Sequence, residues 1–212
     1  MRLTPVAGPA IVTGVTTSTP LHGRERRKRS TRRALRVAVL ELGLERGWAE
    51  VRIGDVAERA GVSARTFFNY FETKEDAALL DLFAVTDEQL AALEGPAPRL
   101  WAGLTDLFAA DVGRLGDEGA DVPRSMELQQ RAPGLQARQM RVFTAFEARL
   151  AAAVAARLPD GGDRLLRAGV MSGSCLTAVR VGLQAWAGAG WPGSPAAPVR
   201  EAFAVLAPAF TT

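Results

Sequence analysis

The chain has 212 residues, of which 48% are hydrophobic and 23% are charged, and this balance predicts a globular protein with a packed core. No run of about 18 uninterrupted apolar residues occurs and threonines interrupt the first 20 residues, so we expect no membrane span, no signal peptide and a cytoplasmic location. A single cysteine, Cys175, and a single histidine, His22, exclude an intrachain disulfide and leave no cluster of metal ligands, and we expect no cofactor.

Positive charge is concentrated near the start of the chain. The formal net charge is only +3, yet residues 24–36 hold eight arginines or lysines and one acidic residue, so this segment has a net charge of +7. Such asymmetry is typical of a protein that meets a polyanion, above all a nucleic acid. A solvated basic tail would have the same composition, and the charge alone leaves both interpretations open.

The first elements in chain order are an extension and three helices. Residues 1–29 are predicted to form a flexible basic extension, because Thr, Pro and Gly occur without periodicity before the basic run. A first helix is predicted from Ser30, a suitable N-cap, to the helix-ending Gly47. Two short helices follow over Ile53–Ala60 and Ala64–Tyr70.

A longer fourth helix is predicted from Thr73 to about Leu93, with Asp76 placed as the partner in a capping box. Five more helices are predicted beyond the Gly/Pro break at residues 94–98, and they span residues 99–115, 122–131, 133–158, 163–187 and 196–210. No strand pattern or internal repeat competes with them, so the predicted fold class is all-α.

The tract from Ile53 to Tyr70 meets the steric demands of a helix-turn-helix. Ala57 is small where the two helices approach each other, Gly61 tolerates a left-handed turn, and Val62 can fill the gap beneath that turn. Ser63 can cap the second helix. These local requirements predict two helices that cross steeply.

The same tract separates an inward face from an outward face. Helical spacing turns five apolar residues inward: Val56, Ala60, Val62, Phe67 and Phe71. It leaves four residues outward: Arg65, Thr66, Phe68 and Asn69. An outward phenylalanine is unexplained unless something covers it, and the thymine methyls and sugar edges of a DNA major groove would do so.

From about Arg32 to Leu80 the sequence resembles the DNA-binding domain of the TetR family. The matching motifs are Gly47-Trp48, Asp55-Val56-Ala57, Gly61-Val62-Ser63, Phe67-Phe68-Asn69-Tyr70-Phe71 and Lys74-Glu75-Asp76. The resemblance implies a three-helix DNA-binding domain over residues 30–76 and a larger helical domain for ligand binding and dimerisation over residues 77–212. It also implies that Ala64–Tyr70 enters the major groove of double-stranded DNA as the recognition helix.

The resemblance supplies a set of candidate DNA-binding residues: Arg52, Ser63, Arg65, Thr66, Phe68, Asn69, Tyr70 and Lys74. Arg65, Thr66 and Asn69 are candidates for contacts with base edges or nearby phosphates. Tyr70 and Lys74 are expected on phosphates, Lys74 at the start of the fourth helix. The segment from Arg24 to Arg33 is expected to follow the DNA backbone or enter a minor groove, with a solvated arm as the alternative.

Three residues depart from the family pattern. Arg52 stands where the family often has a capping threonine, which puts that cap and its phosphate contact in doubt. Phe68 replaces a frequent tyrosine and lacks its hydroxyl. Gly43 replaces a frequent aromatic residue and is expected to weaken the first helix by about 0.5–1 kcal/mol relative to alanine.

In the family, the last two long helices pair with those of a second copy as a four-helix bundle, which here implies a homodimer through about residues 163–187 and 196–210. Seven apolar residues suit that burial: Val170, Leu176, Val179, Leu183, Phe203, Leu206 and Phe210. An intramolecular core is the alternative for each of them.

Effector pockets of the family lie between the fourth and eighth helices, where the candidate ligand-binding residues are Trp101, Phe108, Met126, Met140, Phe143 and Phe146. Their spacing fits ordinary core packing as well. The sequence from Arg65 to Phe71 resembles that of the TetR subgroup with acyl-CoA-like or other lipophilic ligands. A small effector of that kind is therefore the candidate partner.

The resulting hypothesis is a ligand-responsive repressor that acts as a homodimer on a palindromic operator, with its recognition helices about 34–36 Å apart. A constitutive DNA-binding protein, or one controlled by a protein partner instead of a small molecule, is the alternative. An enzyme has no support, because no paired acids occur and neither Cys175 nor His22 has an evident catalytic partner.

Overall fold

The computed structural model describes residues 20–119 and 121–210, and in these residues the regular secondary structure is entirely helical, as the sequence predicts. The α-helices are α1 (Pro20–Arg46), α2 (Ile53–Arg59), α3 (Ala64–Phe68), α4 (Lys74–Ala78), α5 (Asp87–Ala91), α6 (Ala97–Gly113), α7 (Asp121–Arg131), α8 (Pro133–Ala155), α9 (Arg164–Gly188) and α10 (Ala196–Leu206). The helices predicted beyond residue 98 are all present, with ends shifted by a few residues. None of the described helices is long and apolar enough to cross a membrane.

The first helix is longer than predicted, because it begins at Pro20 and contains Ser30 in its interior. Proline suits the first helical turn, and most of the arginine, lysine and glutamate residues that follow favour a helix. Residues 20–29 therefore belong to a helix and not to a flexible extension. Residues 1–19 and the side chain of His22 lie outside the described part of the molecule.

The fourth helix is broken, and the prediction that it continues to about Leu93 is wrong. α4 ends at Ala78, residues 79–86 form a bend, and α5 begins anew behind a capping box of Thr86 and Gln89. Apolar residues at helical spacing run through this whole segment, so periodicity alone did not reveal the break. The capping box was the sequence signal for the new start.

Buried polar groups hold the bend. Phe83 has φ +65°, a left-handed conformation that costs a residue with a side chain about 1–3 kcal/mol. Its N–H donates to Oδ2 of the buried Asp111 at 3.1 Å, while Arg114 pairs with Oδ1 of the same carboxylate. Arg149 of α8 donates to the Val85 carbonyl at 3.1 Å. Burial raises the pKa of Asp111 above its usual value, although the neighbouring Arg114 acts in the opposite direction.

The core of the N-terminal helices is completed by Leu128 of α7, Leu135 of α8 and Ala132 between these two helices. Gly43 of α1 makes room for this packing, because a Cβ atom there would lie 2.9 Å from both Cδ atoms of Leu128. The departure from the family pattern at Gly43 thus has a steric reason. An aromatic side chain in this position would collide with α7.

Two polar contacts also join α7 to the N-terminal helices. The hydroxyl of the fully buried Ser125 donates to the Ala78 carbonyl at 2.7 Å, at the point where α4 ends. Nε of Arg33 in α1 donates to Oδ2 of the buried Asp121 at 2.9 Å. α7 is therefore anchored to both α1 and α4.

A second core lies among α6, α8, α9 and α10. Three of the seven residues considered for a dimer interface are buried in this core of their own chain, so the intramolecular alternative holds for them: Leu176, Val179 and Phe203. Three others are partly buried against the same core: Leu183, Leu206 and Phe210. Val170 is the exposed member of the set, with 53% of its surface accessible.

α9 and α10 approach each other closely at a glycine. A Cβ atom on Gly182 would lie 2.5 Å from the Cα atom of Val199 and 2.8 Å from its backbone nitrogen. Backbone atoms cannot move aside as a flexible side chain can, so any larger residue at this position must push the two helices apart.

We therefore expect Gly182→Ala to lower the free energy of unfolding by about 1–3 kcal/mol, because the added methyl group overpacks the contact between α9 and α10. Gly134→Ala in α8 is the control, since a Cβ atom there meets nothing within 4 Å. Urea denaturation measures both variants. A Gly182→Ala protein as stable as the Gly134→Ala protein would contradict the close approach.

Candidate nucleic-acid interface

The turn between α2 and α3 has the predicted geometry. Gly61 adopts φ +68°, in the region where a side chain would be strained. The N–H of Val62 donates to the Ala57 carbonyl at 2.9 Å, and Ala57 is buried where the two helices meet. Backbone contacts therefore fix the direction of α3 relative to α2.

α3 begins with the predicted side-chain cap, whereas α2 has none. Oγ of Ser63 accepts from the Thr66 N–H at 3.1 Å and lies 2.9 Å from Oγ1 of Thr66. Arg52 precedes α2 without a side-chain capping bond, in line with its departure from the family pattern. Its exposed side chain projects from the edge of the helix-turn-helix.

The outward face of α3 carries an exposed aromatic ring between polar groups. Phe67 is fully buried, and Phe68 next to it is 56% exposed while its ring meets that of Phe67 edge to face at 5.6 Å. Arg65 and Asn69 are exposed, and Asn69 forms the C-cap because α3 ends at Phe68. Tyr70 therefore follows α3, although it was predicted to be the last residue of this helix.

Arg32 was predicted to lie in the DNA-binding arm, but its guanidinium group holds the end of the helix-turn-helix. Nη1 donates to the Tyr70 carbonyl at 3.2 Å, Nη2 pairs with Asp81 at 2.8 Å, and the guanidinium carbon lies 4.6 Å from the centre of the Phe71 ring. Arg36, one helical turn later, also pairs with Asp81, at 3.1 Å. The one-turn spacing of these two arginines beside buried apolar residues was the available signal for an inward role.

The basic segment from Arg24 to Arg33 is thus divided into two parts. Its first basic residues, from Arg24 to Arg29, are exposed on the opening turns of α1. Arg32 and Arg33, in contrast, are held by Asp81 and Asp121 within the chain. Arg32 and Arg33 keep 40% and 54% of their side-chain surface accessible, so what separates the two parts is pairing with carboxylates and not burial.

Lys74 points toward the loop that precedes α2. Its Nζ atom donates to the carbonyls of Trp48 and Val51 at 3.1 and 2.9 Å and lies 4.6 Å from the centre of the Trp48 ring. An ammonium group has three N–H donors, so one remains for a phosphate. The side chain thus positions the start of the helix-turn-helix.

Asp76 connects the cap of α4 with α8. Its Oδ2 atom accepts from the Thr73 N–H at 3.1 Å and from the Thr73 hydroxyl at 2.7 Å, and its Oδ1 atom accepts from Nε of Arg138 at 2.9 Å. Burial raises the pKa of Asp76, but the hydrogen bonds from Thr73 and Arg138 outweigh it, so the pKa lies below its usual value. The charged carboxylate therefore stabilises the fold above a pH of about 4, and this contribution is lost as the pH falls.

Two segments of the chain match known protein families. Residues 35–79 match the family described as "Bacterial regulatory proteins, tetR family", and residues 100–211, more than half of the chain, match the family described as "MftR C-terminal domain". The chain belongs to the TetR family.

Two individual proteins are also similar to this chain. The HTH-type transcriptional regulator TcmR of Streptomyces glaucescens is 37% identical in an alignment of length 144 that covers 63% of this chain and 63% of TcmR, so the match spans less than two thirds of that relative. A crystal structure of a TetR family transcription regulator from Marinobacter aquaeolei VT8 is 22% identical, with a TM-score of 0.41 over 87% of this chain and 97% of that one.

The structure brings together four of the six residues that the TetR resemblance assigned to an effector. Trp101, Phe108, Phe143 and Phe146 pack in the second core. Met126 and Met140 are exposed instead, Met140 with 63% of its surface accessible, because they lie on the outer sides of α7 and α8. The six residues therefore do not line a common pocket.

Two clefts lie elsewhere, and none of the six residues lines either one. The first has a volume of about 340 Å³ and lies between the end of the helix-turn-helix and α8, with Arg32, Tyr70 and Arg138 in its wall. The second has a volume of about 480 Å³ and is bordered by the starts of α6 and α9 and by Phe210.

The contacts of Lys74 predict a loss of stability upon mutation. We expect Lys74→Ala to lower the free energy of unfolding of the DNA-free protein by about 1–3 kcal/mol, because two carbonyls lose a charged hydrogen-bond donor. Urea denaturation measures the change. Arg52→Ala removes an exposed cation near the same loop and should stay within about 0.5 kcal/mol of the parent protein. Equal stability of the two variants would rule out the positioning role.

Proposed function

We propose that the protein is a transcriptional regulator that binds a palindromic operator as a homodimer and releases it in response to a small effector. The exposed face of α3 carries this proposal, because it presents Phe68 between Arg65 and Asn69 on a backbone fixed by the Gly61 turn. In a major groove, thymine methyls would cover the exposed ring while the two polar side chains pair with base edges. Membership of the TetR family supports the same function.

The proposed contacts fall into two classes. Arg65 and Asn69 read bases, guanine by the arginine and adenine by the asparagine. The phosphate contacts come from Arg52, Ser63, Thr66 and Tyr70, from the third N–H of Lys74 and from the exposed basic residues at the start of α1. This second class supplies affinity for any sequence, because phosphates carry no sequence information.

We propose that the dimer forms through the outer faces of α9 and α10. Val170 and Val181 are exposed on α9 at a spacing that places them on one side, and Val205 is 79% exposed on α10. Pairing with a second copy would remove these apolar groups from water, as in a four-helix bundle. The buried inner faces of the same helices stay in the core of each chain.

Control by a small effector has one alternative, a constitutive regulator or one switched by a protein partner. A ligand that stabilises the folded protein and weakens its binding to the operator would support effector control. Operator binding that persists in the presence of every stabilising compound would favour the alternative. Cys175 is unsuited to be a catalytic nucleophile, because it is fully buried and burial raises the pKa of its thiol.

Base reading and phosphate contact predict different responses to mutation. We expect Arg65→Ala to lower the preference for one operator base pair by about 1–3 kcal/mol, and Tyr70→Phe to weaken binding to all sequences alike. Selection from random duplexes followed by binding titrations measures both effects. Arg99→Ala on α6, far along the chain from this face, should bind as the parent protein does. Failure of the parent protein to select any palindromic sequence would refute the operator proposal.

The proposed dimer face can be tested without DNA. We expect Val181→Glu to give a monomer, because it places a charge in an apolar contact between two chains. The fold of each chain should not change, since Val181 is exposed in the single chain. Sedimentation velocity measures the mass of the particle. Met140→Glu introduces the same charge at an exposed site on α8 and should remain dimeric. Dimers of both variants would exclude this face.

A further inference from the structure

The bend between α4 and α5 places a side chain among residues that the sequence assigned to an effector. The ring of Phe83 lies 4.7 Å from the ring of Phe146, stacked at 16°, and meets the rings of Phe143 and Phe108 nearly edge to face at 5.6 and 6.3 Å. Phe83 is 9% exposed. The space beside three candidate ligand-binding residues is therefore filled by the chain itself.

The backbone conformation of Phe83 is strained and is held by a hydrogen bond. Phe83 has a positive φ, and the N–H of Phe83 donates a hydrogen bond to the buried carboxylate of Asp111. A strained residue persists only where its surroundings fix it, and such residues are concentrated at ligand sites and switches.

The same segment is suited to a second conformation. From Lys74 to Glu94 the sequence contains neither glycine nor proline, and its apolar spacing predicts one continuous helix. That helix would relieve the strain at Phe83 and add backbone hydrogen bonds across residues 79–86. It would also break the capping box of Thr86 and the bond from Arg149 to the Val85 carbonyl, which favour the bend.

We propose that the ring of Phe83 is an internal occupant of the effector site, and that an aromatic ligand with a hydrogen-bond donor replaces it. Withdrawal of a phenylalanine ring opens a space of about one benzene molecule, and apolar cavities of that size, about 150 Å³, bind aromatic rings. Asp111 would lose its bond to the Phe83 N–H and would accept one from the ligand instead. A phenol or an indole has the required combination of ring and donor.

Straightening of the bend would reach the recognition helix through Arg32. Asp81 lies within the bend and pairs with Arg32, which also donates to the Tyr70 carbonyl at the end of the helix-turn-helix. A continuous helix moves Asp81 and therefore changes a contact that holds the end of the DNA-binding unit. This last step rests on the proposed DNA-binding function, whereas the replacement of the ring does not.

Indole is a suitable probe, and hydrogen exchange of the DNA-free protein is a suitable measurement. We expect saturating indole to slow amide exchange across residues 79–86, because these residues gain helical hydrogen bonds. We expect 1-methylindole, which lacks the N–H donor, to bind at least tenfold more weakly. Indole binding with unchanged exchange in this segment would overturn the replacement of Phe83, and equal affinity for the two compounds would overturn the role of Asp111.

Variants at Phe83 test the competition directly. Phe83→Ala and Phe83→Gly remove the ring and should each bind indole at least tenfold more tightly than the parent protein. Alanine also favours the helix whereas glycine tolerates φ +65°, so residues 79–86 should be protected without indole only in Phe83→Ala. Leu165→Ala, which shortens an exposed side chain at the start of α9 and opens no buried space, is the control and should leave indole affinity unchanged. Parent-like indole affinity in both Phe83 variants would overturn the proposal.

Binding to the selected operator separates this inference from the proposed function. Indole should weaken operator binding by the parent protein, and an unchanged affinity despite slowed exchange would overturn the step through Arg32 alone. If no duplex is bound selectively with or without indole, the proposed function fails. The exchange and affinity results above would still decide whether Phe83 occupies a ligand site.

Discussion

The packing of Leu128 against Gly43 helps to position the N-terminal helices α1 to α4 on the rest of the chain. The missing side chain at Gly43 lets Leu128 pack directly on α1, so that α7 lies close to α1. The bonds from Ser125 to the Ala78 carbonyl and from Arg138 to Asp76 add two fixed points nearby. The position of the helix-turn-helix is therefore set in part by its contacts with α7 and α8.

Arginine has two distinct uses in this chain. Exposed basic residues at the start of α1 produce the positive field that favours a polyanion, whereas Arg32, Arg33 and Arg138 pair with carboxylates of the same chain. A guanidinium group suits the second use because its planar fork can hold several oxygens at once. The net charge of +7 in residues 24–36 is therefore larger than the positive charge that a partner would meet.

The sequence predicted what depends on neighbouring residues and missed what depends on distant ones. The left-handed Gly61, the Ser63 cap and the outward Phe68 follow from local sterics, and all three are present. The break of the fourth helix was missed, because Asp111, which supports Phe83, comes much later in the chain. For the same reason, helical spacing could not show that Met140 faces solvent while Phe146 is buried, since only the packing of neighbouring helices decides between faces of a helix.

The completion of the N-terminal core by α7 and α8 has a consequence for synthesis. A ribosome releases residues 35–79 long before Leu128 and Leu135 exist, so the nascent helix-turn-helix must wait with part of its apolar surface open to water. Local turns and caps can form during that interval, but stable closure requires more than fifty further residues. The nascent chain therefore completes the core around its helix-turn-helix only when α7 and the start of α8 have been made.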